Sequence, residues 1–250
     1  MQMKLDGGAI AYDYIQGQDG QPPVVFLHSA LGVRSQFDAL RAQLPERAQL
    51  APDFPGHGHS AVTGGMVNSE RMARDMLALI DSLETGPVDI IGHSMGGYVG
   101  LVMAHLAPER IHKIVTLGTK FYWTEEVIEK TRDELDGAVM KEKAQRHYDA
   151  LARLHAEVGI DDTLRHTQSL IADFARWQVT EEMVRGCGVP LMVCAGDRDS
   201  LVPAAEVMRL FGALEGKRNA VAILPGTPHP LQHVPVECFA QMVRRFWAMP

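Results

Sequence analysis

The most constraining feature of this chain is the five-residue segment Gly92-His93-Ser94-Met95-Gly96, set between two stretches of different character. Before it, Val88-Asp89-Ile90-Ile91 is a short apolar run of the kind a buried strand shows. After it, Val99, Val102, Met103 and Leu106 recur at helical spacing. A chain passing from a buried strand straight into a helix has to turn sharply, with the serine at the apex. The neighbours of that serine must lack a Cβ or they collide with the backbone. Gly92, Gly96 and Gly97 meet the requirement. The pattern G-x-S-x-G in this context presents a serine hydroxyl beside a helix N-terminus, whose partial positive charge favours a developing anion. Ser94 is therefore the expected nucleophile.

The rest of the chain has a matching rhythm. Residues 3–5 and 9–15, joined through Asp6-Gly7-Gly8, read as a hairpin. Val24-Val25-Phe26-Leu27 reads as a buried strand, 35–44 as helix, 49–54 as strand, 69–83 as helix and 111–117 as strand. From about residue 119 to 188 only helical patterns occur, in three groups: Val127, Ile128, Thr131 and Leu135; Leu151, Leu154, His155 and Val158; Leu170, Ile171, Phe174 and Trp177. Thr124 is a plausible N-cap there. Alternation resumes with a strand at 191–195, a helix at 204–214, a strand at 220–224 and a closing helix at 236–247. Repeated strand–helix units imply a mostly parallel sheet covered on both faces, with ligands bound beyond the carboxyl ends of its strands. The expected organisation is a core of residues 1–118 and 189–250 with a helical cap, 119–188, inserted over one end.

A serine hydroxyl needs a base, and the base needs an orienting carboxylate. The chain holds 11 histidines, so position must decide. His229 lies in the loop after the last strand and is the first candidate. His233, four residues on, is the alternative and otherwise a pocket-lining residue. Asp197 and Asp199 both follow the strand at 191–195, and the residues alone leave the two open. Oxyanion donors are expected from the backbone N–H of Met95, next to the nucleophile, and of Ala30, in the loop His28-Ser29-Ala30-Leu31-Gly32. His28 and Ser29 are expected at the pocket as shapers of that loop. Tyr122 and Trp123, with Phe121, either line the pocket or pack the cap on the core.

These motifs together resemble the α/β-hydrolase superfamily, especially its small capped esterases, lactonases and carbon–carbon bond hydrolases. Besides the serine turn, Asp53-Phe54-Pro55-Gly56-His57-Gly58-His59-Ser60 looks like the family's D-x-x-G-x-G-x-S turn. Gly196-Asp197-Arg198-Asp199 looks like its G-D-x-D stretch, and Gly226-Thr227-Pro228-His229 like its G-x-x-H loop. The resemblance implies an eight-stranded, mostly parallel sheet. It also implies a Ser94, Asp199, His229 triad, because the second aspartate of G-D-x-D usually serves that role, in the family's Ser, Asp/Glu, His order. Two departures stand out. Ser29 occupies a position that is usually glycine, and Pro228 and Pro230 bracket His229 in a stiff loop.

Composition excludes other classes more than it selects one. A net charge of −7, with basic residues scattered, argues against nucleic acid. No apolar run approaches the ~20 residues of a membrane span. His57-Gly58-His59 near Asp53 lacks a full metal-ligand set, and no phosphate-cradling or dinucleotide-binding pattern occurs. Cys187, Cys194 and Cys238 read as buried thiols in a reducing, cytoplasmic setting. The expectation is hydrolysis of a small to medium carboxylic ester without cofactor or metal, by a monomer or homodimer whose partner is a small-molecule substrate. A lactone, a thioester or a carbon–carbon bond beside a ketone are alternatives for the same machinery. A non-catalytic ligand-binding protein is the alternative of another class.

Overall fold

The structure is a computed structural model that describes residues 1–18, 20–216 and 218–250. In chain order its elements are β1 (Gln2–Leu5), β2 (Gly8–Ile15), β3 (Val24–Leu27), α1 (Asp38–Arg41), β4 (Gln49–Pro52), α2 (Ser69–Ser82), β5 (Val88–His93), α3 (Met95–Leu106) and β6 (Ile111–Leu117). Then follow α4 (Glu125–Glu134), α5 (Gly137–Leu154), α6 (Ile160–Asp173), α7 (Glu181–Gly186), β7 (Leu191–Gly196), α8 (Ala204–Ala213), β8 (Ala220–Leu224) and α9 (Val236–Trp247).

The eight strands form one sheet in the order β1-β2-β4-β3-β5-β6-β7-β8. β1 and β2 pair antiparallel, as do β2 and β4, and every later pairing is parallel. This is the α/β-hydrolase fold. The register aligns the strand ends that matter. Leu27 pairs with Gly92, His93 with Leu117, Leu117 with Cys194, and Gly196 with Leu224. The loops after β3, β5, β7 and β8 therefore leave the sheet along one edge.

Alternation along β3 shows how the two faces are filled. Val25 and Leu27 join a cluster with α2, α3 and α8, while Val24 and Phe26 join a second cluster with α1 and α9. Helix α3 is buried on all sides from Met95 to Ala104, which fits its nearly uninterrupted apolar sequence.

Three sequence expectations are corrected. The predicted helix over 35–44 is a 3₁₀ turn, Arg34–Phe37, followed by the single-turn α1. Its start is tied down, because Asp53 accepts the Arg34 N–H at 2.7 Å. The helical stretch contains four helices, not three. Asp136 ends one and starts the next by accepting N–H bonds from Ala138 and Val139. Val158 lies past the end of α5, next to Gly159 at φ 89°. Finally, Cys238 is exposed, not buried. The inward stripe of α9 is Phe239, Ala240, Val243 and Phe246, and Cys238 sits one residue, about 100°, off it. Cys194 is buried as expected and Cys187 half-buried.

The close approach of α3 to β3 makes one glycine decisive. A Cβ built on Gly96 would lie 1.9 Å from the Leu27 carbonyl oxygen, whereas one on Gly86 meets nothing within 4 Å. Gly96→Ala should therefore destabilise the protein by about 3 kcal/mol or more, and Gly86→Ala by less than about 0.5 kcal/mol. Urea unfolding midpoints check both, and equal midpoints for the two variants would contradict this packing.

Candidate active site

Ser94 stands at the turn between β5 and α3 with φ 52° and ψ −115°, a conformation strained for a residue with a Cβ. Four hydrogen bonds hold it there. Its N–H donates to the Leu117 carbonyl at 2.9 Å, and its carbonyl accepts from Gly97 N–H, Tyr98 N–H and the Thr119 hydroxyl at 3.1, 3.2 and 3.0 Å. The glycines make room: a Cβ on Gly97 would lie 2.1 Å from Thr119 Oγ1. The strain at Ser94 is thus fixed by its surroundings.

Of the two aspartates after β7, Asp199 meets the histidine. His229 Nδ1 lies 2.8 Å from Asp199 Oδ2, while Asp197 is exposed. A carboxylate only accepts, so Nδ1 carries the proton and Nε2 of the neutral ring is left as a base. Burial alone would raise the Asp199 pKa. The bond from His229 and the N–H groups of Val202 and Leu201, at 2.8 and 2.9 Å, outweigh it, so the carboxyl titrates below its usual range. Gly118, at φ 57°, packs beside the pair; a Cβ there would sit 3.1 Å from Asp199 Oδ2. His93 donates from Nε2 to the His229 carbonyl at 2.9 Å. Burial and repulsion from His229 push the His93 pKa down to about 4, so it serves as a neutral brace. His233 is exposed on the 3₁₀ turn Leu231–His233 and does not line the cavity.

Ser94 and His229 face one cavity of about 460 Å³. No hydrogen bond joins the Ser94 hydroxyl to His229 among the described residues, and such bonds in active sites often form only around substrate. Lining residues come from the core loops (Ser29, Ala30, Met95, Leu201) and from the helices between β6 and β7 (Val127, Leu135, Leu170, Phe174). Tyr98, Phe174 and Trp123 form a row with ring centroids 4.6 and 4.7 Å apart. The walls are mainly apolar, with Lys120 and Lys130 also among them. Lys120 is paired with Glu206 at 3.0 Å.

Two expected pocket residues lie elsewhere. His28 is fully buried behind the loop. Its Nε2 accepts from Phe54 N–H at 2.9 Å, so Nδ1 carries the proton and donates to the Ser29 carbonyl at 2.8 Å. Burial drives its pKa down to about 3. Tyr122 points away and donates its hydroxyl to Glu181, while Arg209 stacks on its ring. Ser29 and Trp123 do line the cavity, and Phe121 is buried in the core.

Neither Ala30 N–H nor Met95 N–H donates to another protein group among the described residues, and both residues line the cavity. Sequence reading missed Gln36, whose side-chain amide brackets Ser29. Its Oε1 accepts the Ser29 N–H at 2.9 Å, and its Nε2 donates to the Ser29 hydroxyl at 2.9 Å. Nothing in the sequence marks this contact. Asp53, fully buried, ties the next loop to the same region through the N–H groups of Arg34 and His59 and the Arg34 guanidinium. Among the described residues no group of three or more side chains is placed to hold a metal ion, and no helix is long and apolar enough to cross a membrane.

Comparison with known proteins agrees with the fold. The α/β-hydrolase fold family model matches residues 22–169, and the chain belongs to that family. A dihydrolipoyllysine-residue acetyltransferase component of an acetoin cleaving system from Pseudomonas putida is 27% identical over 96% of this chain and 67% of its own length. An sn-1-specific diacylglycerol lipase, ABHD11, from Danio rerio is 31% identical over 43% of this chain, a match that spans 35% of that relative. Among solved structures, an esterase from Thermogutta terrifontis superimposes with a TM-score of 0.80 at 18% identity, covering 99% of this chain and 98% of that one. The enol-lactonase of Burkholderia xenovorans LB400 gives 0.80 at 20% identity, with both chains fully covered. The relatives' names include lipases and a putative esterase/lipase, and together with the family they support hydrolase activity.

The buried histidines make stability depend on pH. Burial holds His28 and His93 at about 3 and 4, and lowers His57, His155 and His166 below the usual 6.5. The unfolded chain takes up protons below about pH 6.5 while the folded chain resists, so stability falls as pH drops through that range. Asp199, held low, loses its contribution only below about pH 4. Thermal unfolding should show Tm falling on the order of 10 °C from pH 7 to pH 5; a flat Tm would mean these rings protonate in place.

Proposed function

We propose that the protein is a serine hydrolase that cleaves small to medium carboxylic esters through an acyl-enzyme on Ser94. The observation that carries this reading is the Asp199–His229 pair, 2.8 Å apart, facing the cavity that also receives Ser94 from a strained turn. Ser94 Oγ attacks the carbonyl carbon while His229 Nε2 takes its proton. Asp199 keeps the proton of His229 on Nδ1 and stabilises the imidazolium. The N–H groups of Ala30 and Met95 donate to the oxyanion. His229 then protonates the leaving oxygen as the carbon–oxygen bond breaks, and water, deprotonated by the same nitrogen, releases the acid.

The apolar walls suit an acyl group of modest size. In this reading residues 119–188 act as a cap that selects the substrate, over a core of residues 1–118 and 189–250. No cofactor or metal takes part, and the partner is the substrate itself. Three cysteines without a disulfide among them fit a cytoplasmic setting. Lactones, thioesters and carbon–carbon bonds beside a ketone use the same groups, and the fold does not choose among them. The acetyltransferase in the name of the Pseudomonas putida relative belongs to that longer protein. A ligand-binding protein without turnover remains the reading of another class.

The test is hydrolysis of p-nitrophenyl esters of increasing acyl length by wild type and Ser94→Ala. We expect turnover to fall at least about 10³-fold in the variant, and near-normal turnover would remove Ser94 from the mechanism. Asp199→Asn should be similarly severe and Asp197→Asn within about twofold; the reverse would move the acid to Asp197. A wild type that neither hydrolyses esters, lactones or thioesters nor forms a fluorophosphonate adduct on Ser94 is a binder.

A further inference from the structure

The oxyanion loop is held from outside the core by a residue that the mechanism above does not use. His155, at the C-terminal end of α5, is fully buried. Its Nδ1 accepts the Gly58 N–H at 2.8 Å, so the proton is on Nε2, which donates to the Leu31 carbonyl at 3.0 Å. That carbonyl belongs to the Leu31–Gly32 peptide. The other end of the same peptide, Gly32 N–H, donates to the Ser29 carbonyl at 3.0 Å. The Ser29 carbonyl in turn shares a peptide plane with Ala30 N–H, which points the opposite way because the bond is trans.

These contacts form one directional chain. It runs from Gly58 N–H through the His155 ring, the Leu31–Gly32 peptide and the Ser29–Ala30 peptide, and ends at Ala30 N–H beside the cavity. Leu31 sits at φ 57° to make the turn, a conformation costing about 1 kcal/mol or more for a residue with a Cβ. Aligned hydrogen bonds polarise one another in a buried setting, so the last N–H is both aimed and strengthened. The core supplies a parallel hold through His28 Nδ1 on the Ser29 carbonyl. Only the His155 branch comes from the helices between β6 and β7.

We propose that His155 is a positioning residue that sets the Ala30 oxyanion donor, so that full transition-state stabilisation requires α5 to be seated on the core. This rests on the serine-hydrolase reading for its kinetic consequence, and on geometry alone for the chain itself. Two substitutions dissect it. His155→Asn keeps an acceptor near the Nδ1 position for Gly58 but withdraws the donor from Leu31. His155→Gln extends a donor toward the Nε2 position. A third, Tyr148→Phe, is the control: it removes a 2.6 Å bond from the same helix to Asp161 of α6 and leaves both His155 bonds to the core in place.

With a p-nitrophenyl ester, His155→Asn should lower kcat at least tenfold, up to the 10²–10³ range seen for loss of one oxyanion donor, with KM within about twofold. Affinity for a trifluoromethyl ketone should fall in parallel, His155→Gln should recover part of both, and Tyr148→Phe should change neither. A folded His155→Asn enzyme with wild-type kcat and ketone affinity would overturn the proposal, as would equal losses in His155→Asn and Tyr148→Phe. Hydrogen exchange on the wild-type protein needs no turnover and no variant. The Gly32 amide should exchange as slowly as that of Gly58, and exchange at open-loop rates would also overturn it. If the wild type fails on esters but Gly32 is protected, the chain stands and the serine reading falls.

Discussion

The structure depends on how closely the N-terminus of α3 approaches the end of β3. Gly96 lies so near the Leu27 carbonyl that no side chain fits between them. That contact sets the angle at which the chain leaves β5, and with it the strained φ of Ser94. It also brings the loop after β3 alongside the serine, since Leu27 and Gly92 are partners in the ladder. The strain is held locally by the Leu117, Thr119 and helix N–H bonds and globally by a helix buried on every side. A sharp turn of this kind persists only where its surroundings over-determine it.

A second organising principle is the use of neutral histidine as a fixed donor–acceptor. His28, His93 and His155 each have one ring nitrogen donating to a backbone carbonyl, Ser29, His229 and Leu31 respectively. Burial lowers the pKa of each ring, which favours the neutral form with its single donor. The carbonyls they hold belong to the loops that carry Ala30 and His229. The sequence's abundance of histidine is therefore put to structural use around the cavity, with His229 facing the space a substrate would fill.

The core scaffold and the helical insertion contribute differently to the cavity. Strand ends fix the polar groups, because the register of six parallel strands places their loops along one edge. The insertion adds apolar surface from α4 and α6 and, through His155, one link back to the core. Polar groups and apolar walls of the cavity thus come from different segments.

Local pattern in the sequence determined a good deal. Alternation of apolar runs, the three glycines around Ser94 and the turn residues after each strand are constraints within a few residues, and they specified the sheet and the segments bearing Ser94, Asp199 and His229. Local pattern could not decide contacts between distant segments. Asp197 and Asp199 look alike as sequence, and only the path of the loop buries one against His229. His28 and Tyr122 read as pocket residues because they adjoin the site in sequence, yet the direction of each side chain is set by partners 26 and 59 residues away. Cys238 lies on a helix as read, but which face of α9 is inward depends on the sheet beneath it. Gln36 and His155 carry no motif at all. Their roles come from hydrogen-bond geometry across loops, which is a property of the packed chain.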